Sequence, residues 1–177
     1  MIFQEPALFP WLNVRQNVAF GLKVAGLTQS DQDQRVNELL QLVHLTRFAD
    51  AWIHELSGGM KQRVALARAL ALDPAILLMD EPFAALDAQT RDLLHEEMEL
   101  IWQRTGKTII FVTHNVREAV RLGTRVILMS PAGGVVRREY PIDLPRNRFL
   151  EDLDVARIAS VIRDDLRREV MVSGGDI

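Results

Sequence analysis

The sequence predicts an α/β fold in which an all-helical section precedes most of a parallel sheet. Short apolar runs at residues 75–79, 108–113 and 125–129 alternate with helical patterns, and this alternation is typical of parallel sheets. Continuous apolar runs of this kind predict strands that are buried on both faces. Residues 12–72, by contrast, show helical spacing and no strand pattern, so they form the helical section.

The bulk composition argues against several classes of protein. The 177 residues are 48% apolar and 25% charged with a net charge of −3, so no basic excess argues for nucleic acid. The absence of cysteine excludes disulfides and thiolate metal sites. No apolar run reaches the roughly 20 residues that span a bilayer, and the first residues lack a secretory signal pattern. We therefore expect a cytoplasmic protein that works at a membrane only through a partner.

The first part of the chain is expected to run from a strand stub into helices. Residues 1–10 form the stub and a loop, because two prolines there prevent regular pairing. Helical spacing predicts a helix over residues 13–24, and Ser30 is the expected N-cap of the next helix. The loop carries an apolar cluster that either receives a partner's helix or belongs to the core, namely Leu8-Phe9-Pro10-Trp11-Leu12.

The later elements are expected to alternate between helix and strand. A helical stripe stops at Asp73-Pro74, and a turn at Ala132-Gly133-Gly134 leads into a final strand. The last predicted element is a charged amphipathic helix over residues 149–170. The other helices are predicted at residues 60–71, 88–104 and 115–122.

Ser57-Gly58-Gly59 leads directly into a predicted helix. Glycine lets a ligand approach the backbone, and the unbonded N–H groups and dipole of a helix start attract anions. The three residues therefore suit phosphate binding. The alternative is an ordinary serine N-cap with glycine in a turn.

Two adjacent carboxylates, Asp80 and Glu81, follow the apolar run at residues 75–79. Burying them without a cation or hydrogen bonds would be costly, so they either serve a metal-assisted phosphoryl site or form an acidic strand end in solvent, and the pair alone favours the strand end. His114 follows the predicted strand at residues 108–113, at the edge where α/β sheets bind ligands. The other histidines lack such a place and are predicted to be structural: His44, His54 and His95.

Two longer strings carry a family resemblance. They are Leu56-Ser57-Gly58-Gly59-Met60-Lys61-Gln62-Arg63 and, further along, Ile76-Leu77-Leu78-Met79-Asp80-Glu81-Pro82. In this order they resemble the signature and Walker B motifs of the ATP-binding cassette (ABC) family, the nucleotide-hydrolysing subunits of membrane transporters. The resemblance covers nearly the whole chain. It implies a partial P-loop NTPase sheet with a helical subdomain at about residues 12–72, an ATPase domain over residues 1–147, and a helical extension and tail over residues 148–177.

The resemblance implies that five residues bind nucleotide. Ser57, Gly58, Gly59 and Met60 belong to the signature, which in relatives contacts the γ-phosphate of ATP held on the opposite subunit. Asp87 belongs to Ala85-Leu86-Asp87, which matches the loop that crosses the dimer interface.

Four more residues would serve the reaction on the same grounds. Asp80 would orient Mg²⁺ through water, and Glu81 would be the general base that polarises the attacking water. Gln4 lies in a string similar to the glutamine loop, and its amide would reach the Mg²⁺ or the water. His114 would touch the γ-phosphate and sense hydrolysis.

The cofactors that the resemblance implies are ATP and Mg²⁺. The implied partners are a second ATP-binding subunit and transmembrane permease subunits, with no nucleic acid, at the inner face of the plasma membrane. Residues 4–17 and the signature are most similar to bacterial importer subunits of the nitrate, sulfonate and taurine group.

The family's phosphate loop, G-x-x-x-x-G-K-[ST], does not occur in the sequence. Gly106-Lys107-Thr108 imitates its end, but position 101 is Ile and the triplet follows a helix, so it predicts a turn with Lys107 in solvent. On family grounds we expect roughly a hundred further residues before Met1 in a complete member, and thus a truncated ATPase.

Two alternatives stay open. A non-catalytic fragment or interaction module would follow from the missing phosphate loop. A DNA-maintenance ATPase of the same superfamily would share both motifs. It would also show coiled-coil heptads or a basic groove, and neither pattern appears in the sequence.

Overall fold

A computed structural model describes residues 1–130 and 134–173. The chain divides between Val112 and Thr113 into two compact units, which we describe separately. The helices are α1 (Val14–Val24), α2 (Gln29–Leu42), α3 (Gly58–Ala71), α4 (Ala88–Thr105), α5 (Val116–Leu122) and α6 (Leu153–Ser173). The strands are β1 (Ile76–Asp80), β2 (Thr108–Val112), β3 (Arg125–Met129) and β4 (Val136–Pro141).

The helical section of the first unit is confirmed, with one error in its capping. Helix α1 begins after Asn13, whose side chain accepts from the N–H of Gln16 while the Gln16 side chain accepts from the N–H of Asn13. Helix α2 begins after Thr28 and not at the predicted cap Ser30. Thr28 is extended and accepts from the N–H of Asp31, so it satisfies the first turn before Ser30 is reached.

The core of the first unit lies where α1, α2 and α3 pack on one another. Fully buried aliphatic side chains from all three helices fill it, which matches the helical spacing of the sequence. These are Val14, Val18 and Leu22 of α1, Val36, Leu39 and Leu40 of α2, and Val64, Leu66, Ala67 and Leu70 of α3.

The parallel sheet of the first unit consists of β1 and β2 with one further bridge. β1 pairs in parallel with β2, and Ile2 forms a parallel bridge to Met79 on the other side of β1. The predicted strand stub is therefore present. The prediction that both faces are buried is wrong, because Leu77 and Met79 are buried while the other face, with Ile76, Leu78, Ile110 and Val112, is 42–58% exposed.

The phosphate-loop imitation is a turn, as predicted. Gly106 ends α4 with a left-handed backbone (φ 61°), which glycine adopts without the strain of a side chain, and β2 begins at Thr108. The predicted solvation of Lys107 is wrong. Its side chain is only 12% exposed, and its Nζ lies 2.7 Å from the Asp73 carboxylate.

The second unit contains a hairpin and two helices. β3 pairs antiparallel with β4, so β3 is not the third strand of a parallel sheet as the alternation predicted. The predicted turn includes Ala132 and Gly133, which lie outside the described residues. The hydrophobic core of this unit joins α5, α6 and the end of the hairpin, through Val120, Ile142, Val155, Ala159 and Ile162.

The last helix begins later than predicted. The sequence pattern predicts a start at residue 149, whereas α6 begins at Leu153. The reason is a turn in which Asp152 accepts from the N–H of Phe149.

Tyr140 of β4 contacts the last helix. Its hydroxyl lies 2.6 Å from the Asp165 carboxylate, and burial together with this hydrogen bond raises the pKa of Tyr140 to about 12.

The domain limits expected at residues 147 and 148 stay a prediction. Within the described residues, no helix is both long enough and apolar enough to cross a bilayer.

Candidate functional site

The two predicted carboxylates lie at the carboxyl end of β1. Asp80 is the last residue of the strand, and its N–H donates to the carbonyl of Ile2 (2.9 Å). Glu81 turns out of the strand with a left-handed backbone (φ 44°), and its N–H still donates to the carbonyl of Val112 (2.9 Å). A left-handed conformation is strained for a residue with a side chain, and such strain concentrates at functional sites. Both side chains are half-buried.

Gln4 lies on the segment that leaves the sheet at the same edge. Because Ile2 runs parallel to Met79, the chain leaves the sheet alongside the end of β1, where Asp80 and Glu81 lie. Gln4 is exposed two residues beyond that bridge. The structure thus brings the segment that carries Gln4 to the carboxylates.

Helix α3 begins at the predicted phosphate-binding string. Ser57 is its N-cap, with an extended backbone and a side-chain oxygen that accepts from the N–H of Met60 (3.3 Å). The N–H groups of Gly58 and Gly59 belong to the first turn, where a helix provides no backbone acceptor. The serine N-cap is therefore present, and it does not exclude anion binding by the first turn, which stays a prediction.

The start of α3 packs against the start of α4. A methyl group added to Gly59 would lie 2.4 Å from Thr90 Cγ2, closer than side-chain atoms approach one another, and one added to Gly58 would lie 3.8 Å from Leu86 Cδ2. Asp87 caps α4 by accepting from the N–H of Thr90 (3.0 Å), and this hydrogen bond lowers its pKa. The structure therefore places the signature glycines and Asp87 in one corner.

An ion pair that the sequence patterns did not predict joins the same two helices. Arg63 of α3 lies 2.7 Å from the Glu97 carboxylate of α4, and both side chains are largely buried. Burial raises the pKa of Glu97, and Arg63 opposes that shift. The charges alone could not reveal the pair, because Arg63 and Glu97 lie on different helices far apart in sequence.

His114 belongs to the second unit. It is exposed and precedes Asn115, the N-cap of α5. The hydroxyl of Thr113 donates to Glu118 (2.8 Å) and accepts from the N–H of Asn115, which fixes the backbone on both sides of His114. By contrast, His95 is fully buried on α4 against the ring of Phe83, in agreement with a structural role.

The donor set fits a nucleotide-bound magnesium better than a resident metal ion. Among residues 1–130 and 134–173, no three histidine, aspartate or glutamate side chains gather as a metal site would require. Magnesium is usually held by one or two carboxylates together with water and substrate phosphates. Asp80 could supply such a carboxylate, and Gln4 lies on the neighbouring segment.

None of the residues of the apolar loop at 8–12 belongs to the buried core. Phe9, Trp11 and Phe20 form an aromatic surface, with the Phe9 ring 5.6 Å from Trp11 and 4.5 Å from Phe20. Trp11 is 69% and Phe20 42% exposed. Of the two alternatives, this exposure favours a contact surface over a buried core.

Comparison with known proteins decides the family. A family profile described as ABC transporter matches residues 1–84. The taurine import ATP-binding protein TauB of Rhizobium johnstonii is 48% identical over 171 residues, which cover 96% of this chain and 65% of TauB. The chain belongs to the ABC transporter family. Its fold is correspondingly that of an ABC ATPase cassette, as the sequence predicted.

Other members of the ABC family extend the comparison. The nitrate import ATP-binding protein NrtD of Synechocystis is 51% identical over 145 residues, 82% of this chain and 54% of NrtD. A dimeric structure of the ATP-binding cassette MJ0796 in a post-hydrolysis state, bound to ADP and phosphate, is 36% identical with a TM-score of 0.67, over 80% of this chain and 61% of that cassette. The chain thus spans about half to two thirds of the length of the relatives that it matches.

Proposed function

We propose that this chain forms part of the ATP-hydrolysing subunit of an ABC importer, which couples ATP hydrolysis to the uptake of a substrate. The observation that carries the proposal is the corner where Gly58 and Gly59 start α3 beside Asp87. A side chain at Gly59 would collide with Thr90, so glycine is required for α3 and α4 to start this close to each other. The relatives named for taurine and nitrate import, which are 48% and 51% identical, support the proposal that this chain belongs to an importer.

The residues divide into two groups by role. Ser57, Gly58, Gly59 and Met60 at the start of α3, with Asp87 beside them, bind the phosphates of a nucleotide held by a second subunit. The dimeric cassette of similar fold supports a pair of subunits.

The second group acts where the strands end. Glu81 accepts the proton of the attacking water as its general base, Asp80 and Gln4 hold Mg²⁺, and His114 contacts the γ-phosphate. When bound, Mg²⁺ supplies positive charge that offsets the charge of the phosphates. Because Glu81 has a left-handed backbone, the chain turns out of β1 at this residue.

The aromatic surface is the proposed contact with the membrane subunits. Import requires a passage through the membrane, and the relatives are named as ATP-binding parts of importers. The exposed rings of Trp11 and Phe20 suit an apolar helical segment of a permease. This contact would hold the subunit at the inner face of the plasma membrane.

A second candidate is a non-catalytic interaction module. The observation that favours it is the absence of G-x-x-x-x-G-K-[ST] from residues 1–177. Activity assays therefore need an extended chain, in which the phosphate-loop segment of a complete cassette is joined to Met1.

The proposed function is tested by replacing Ser57 in the extended chain and measuring ATP hydrolysis. Ser57→Ala removes a hydroxyl at the signature and is expected to lower the rate about tenfold or more, the size of a lost hydrogen bond to a charged group. The matched control is Thr28→Ala. Ser57 and Thr28 each cap a helix through a 3.3 Å hydrogen bond, so both variants lose a comparable cap, about 1 kcal/mol.

The two variants separate function from stability. Thr28→Ala should keep its activity while unfolding more easily. Equal rates for both variants, or an extended chain that never hydrolyses ATP, would favour the interaction module instead.

A further inference from the structure

The loop that carries Phe9 and Trp11 of the aromatic surface is fixed to two helices by two side chains. One is Asn17 of α1, which is completely buried, and the other is Arg68 of α3, which is half-buried. Neither residue belongs to the signature or the Walker B string. Both bind the backbone of the loop and neither binds a charged partner in it.

Asn17 fixes the end of the loop with four hydrogen bonds. Its Oδ1 accepts from the N–H of Phe9 (2.9 Å), and its Nδ2 donates to the carbonyls of Phe9, Leu12 and Asn13 (3.0–3.1 Å). A buried amide whose oxygen and nitrogen are both satisfied is specific for one backbone arrangement. Asn17 therefore sets where the Phe9 ring stands.

Arg68 joins the same loop to the helix that starts at the signature. Its Nη2 donates to the carbonyl of Pro6 (3.1 Å), and its guanidinium lies 5.3 Å from the centre of the Phe9 ring. Burial lowers the pKa of this guanidinium. Arg68 lies about three turns along α3 from Gly58, and the helix is continuous between them. A displacement of the loop would therefore be transmitted along α3 to the signature end.

The backbone between these two anchors is strained. Ala7 has a left-handed conformation (φ 46°), which is unfavourable for alanine and persists only when the surroundings enforce it. Pro6 on one side is bonded to Arg68, and Phe9 on the other to Asn17. Without either anchor the loop would relax away from this conformation.

We propose that Arg68 is a positioning residue that links the aromatic surface to the signature helix, so that a permease segment seated on Trp11 and Phe20 acts on the start of α3. Asn17 holds the loop rigid enough for this link to work. The inference rests on the proposed function, because it takes the permease as the occupant of the aromatic surface.

The test uses the assembled importer: two extended chains with the membrane subunits of the taurine importer of Rhizobium johnstonii in lipid vesicles. The measured quantity is the stimulation ratio, the ATP hydrolysis rate with membrane subunits divided by the rate without them. Arg68→Met is expected to lower this ratio about fivefold or more, the lower end of common coupling between sites. The rate without membrane subunits is expected to change little.

Arg35→Met is the matched control. Arg35 also donates to backbone carbonyls at α3, those of Leu70 (3.1 Å) and Ala71 (3.4 Å), but it does not touch the loop. Arg35→Met should therefore also remove hydrogen bonds to the backbone of α3 and destabilise the fold, but it should leave the stimulation ratio unchanged. A ratio that falls equally in both variants, or in neither, overturns the inference.

Two further variants keep the result interpretable. Arg68→Lys keeps the charge and the aliphatic chain but loses the planar fork, so it should fold and show an intermediate ratio, and a full ratio counts against the inference. Trp11→Ala separates the two proposals. If Trp11→Ala retains full stimulation, the proposed permease contact fails, whereas if it abolishes stimulation and Arg68→Met does not, only the positioning role of Arg68 fails.

Discussion

Replacing Glu81 by glutamine in the extended chain is expected to lower the rate of ATP hydrolysis about 100- to 10,000-fold, the usual contribution of a general base. Glutamine has the same shape as glutamate but cannot accept the proton of the attacking water. ATP binding should persist, because neither the start of α3 nor Asp80 is changed. The measurements are phosphate release under steady state and nucleotide binding at equilibrium.

Glu96→Gln is the control for this loss of a carboxylate. Glu96 is exposed in the middle of α4, so its variant should hydrolyse ATP at the original rate. A Glu81→Gln protein that keeps most of its activity would remove Glu81 from the role of base. A Glu81→Gln protein that no longer binds nucleotide would show a structural defect instead.

Replacing Gly59 by alanine is expected to destabilise the 177-residue chain by about 1–3 kcal/mol, the usual cost of overpacking. The new methyl group would lie 2.4 Å from Thr90 Cγ2, so α3 and α4 must move apart at their starts. Thr90 has a branched side chain in the first turn of a helix, and few rotamers are open to it. Chemical denaturation of both proteins gives the difference in unfolding free energy.

Two variants test whether that contact is the cause. Thr90→Ser removes Cγ2, so combining it with Gly59→Ala should recover about 1 kcal/mol or more relative to the sum of the single changes. Gly58→Ala is the matched glycine control. Its methyl group would meet Leu86 at 3.8 Å, an ordinary contact, so the expected change is within about 0.5 kcal/mol. Purely additive effects of Gly59→Ala and Thr90→Ser would refute the packing explanation.

Local patterns in the sequence were sufficient for much of the fold. Helical spacing located α1, α3 and α4 to within a few residues, and apolar runs located β1 and β2. Thr28 and Ser30 are both acceptable N-caps, and only the backbone conformation selected Thr28. Apolar runs also cannot tell one buried face from two, which is why the exposure of Leu78 and Ile110 was not predicted.

The candidate site was predictable in its residues but not in its arrangement. Eight consecutive positions around Ser57 and the pair Asp80-Glu81 suffice to recognise the motifs. The approach of Gly59 to Thr90 joins residues 31 positions apart, and no short pattern encodes such a contact. The hydrogen bond from Arg68 to Pro6 joins residues that are 62 positions apart. Contacts of this kind depend on how helices pack.

In the proposed mechanism, the start of α3 in one subunit and Glu81 in the other serve a single nucleotide. Mixing extended chains that carry Glu81→Gln with extended chains that carry Ser57→Ala tests it most directly. In a mixed dimer, a shared site places both defects in one site and leaves the other intact.

With random pairing, half of the dimers are mixed, and the mixture should hydrolyse ATP at about a quarter of the unsubstituted rate, well above either variant alone. If instead each subunit uses its own Ser57 with its own Glu81, every site carries one defect. The mixture would then be no faster than the average of the two variants, and that result would contradict the account.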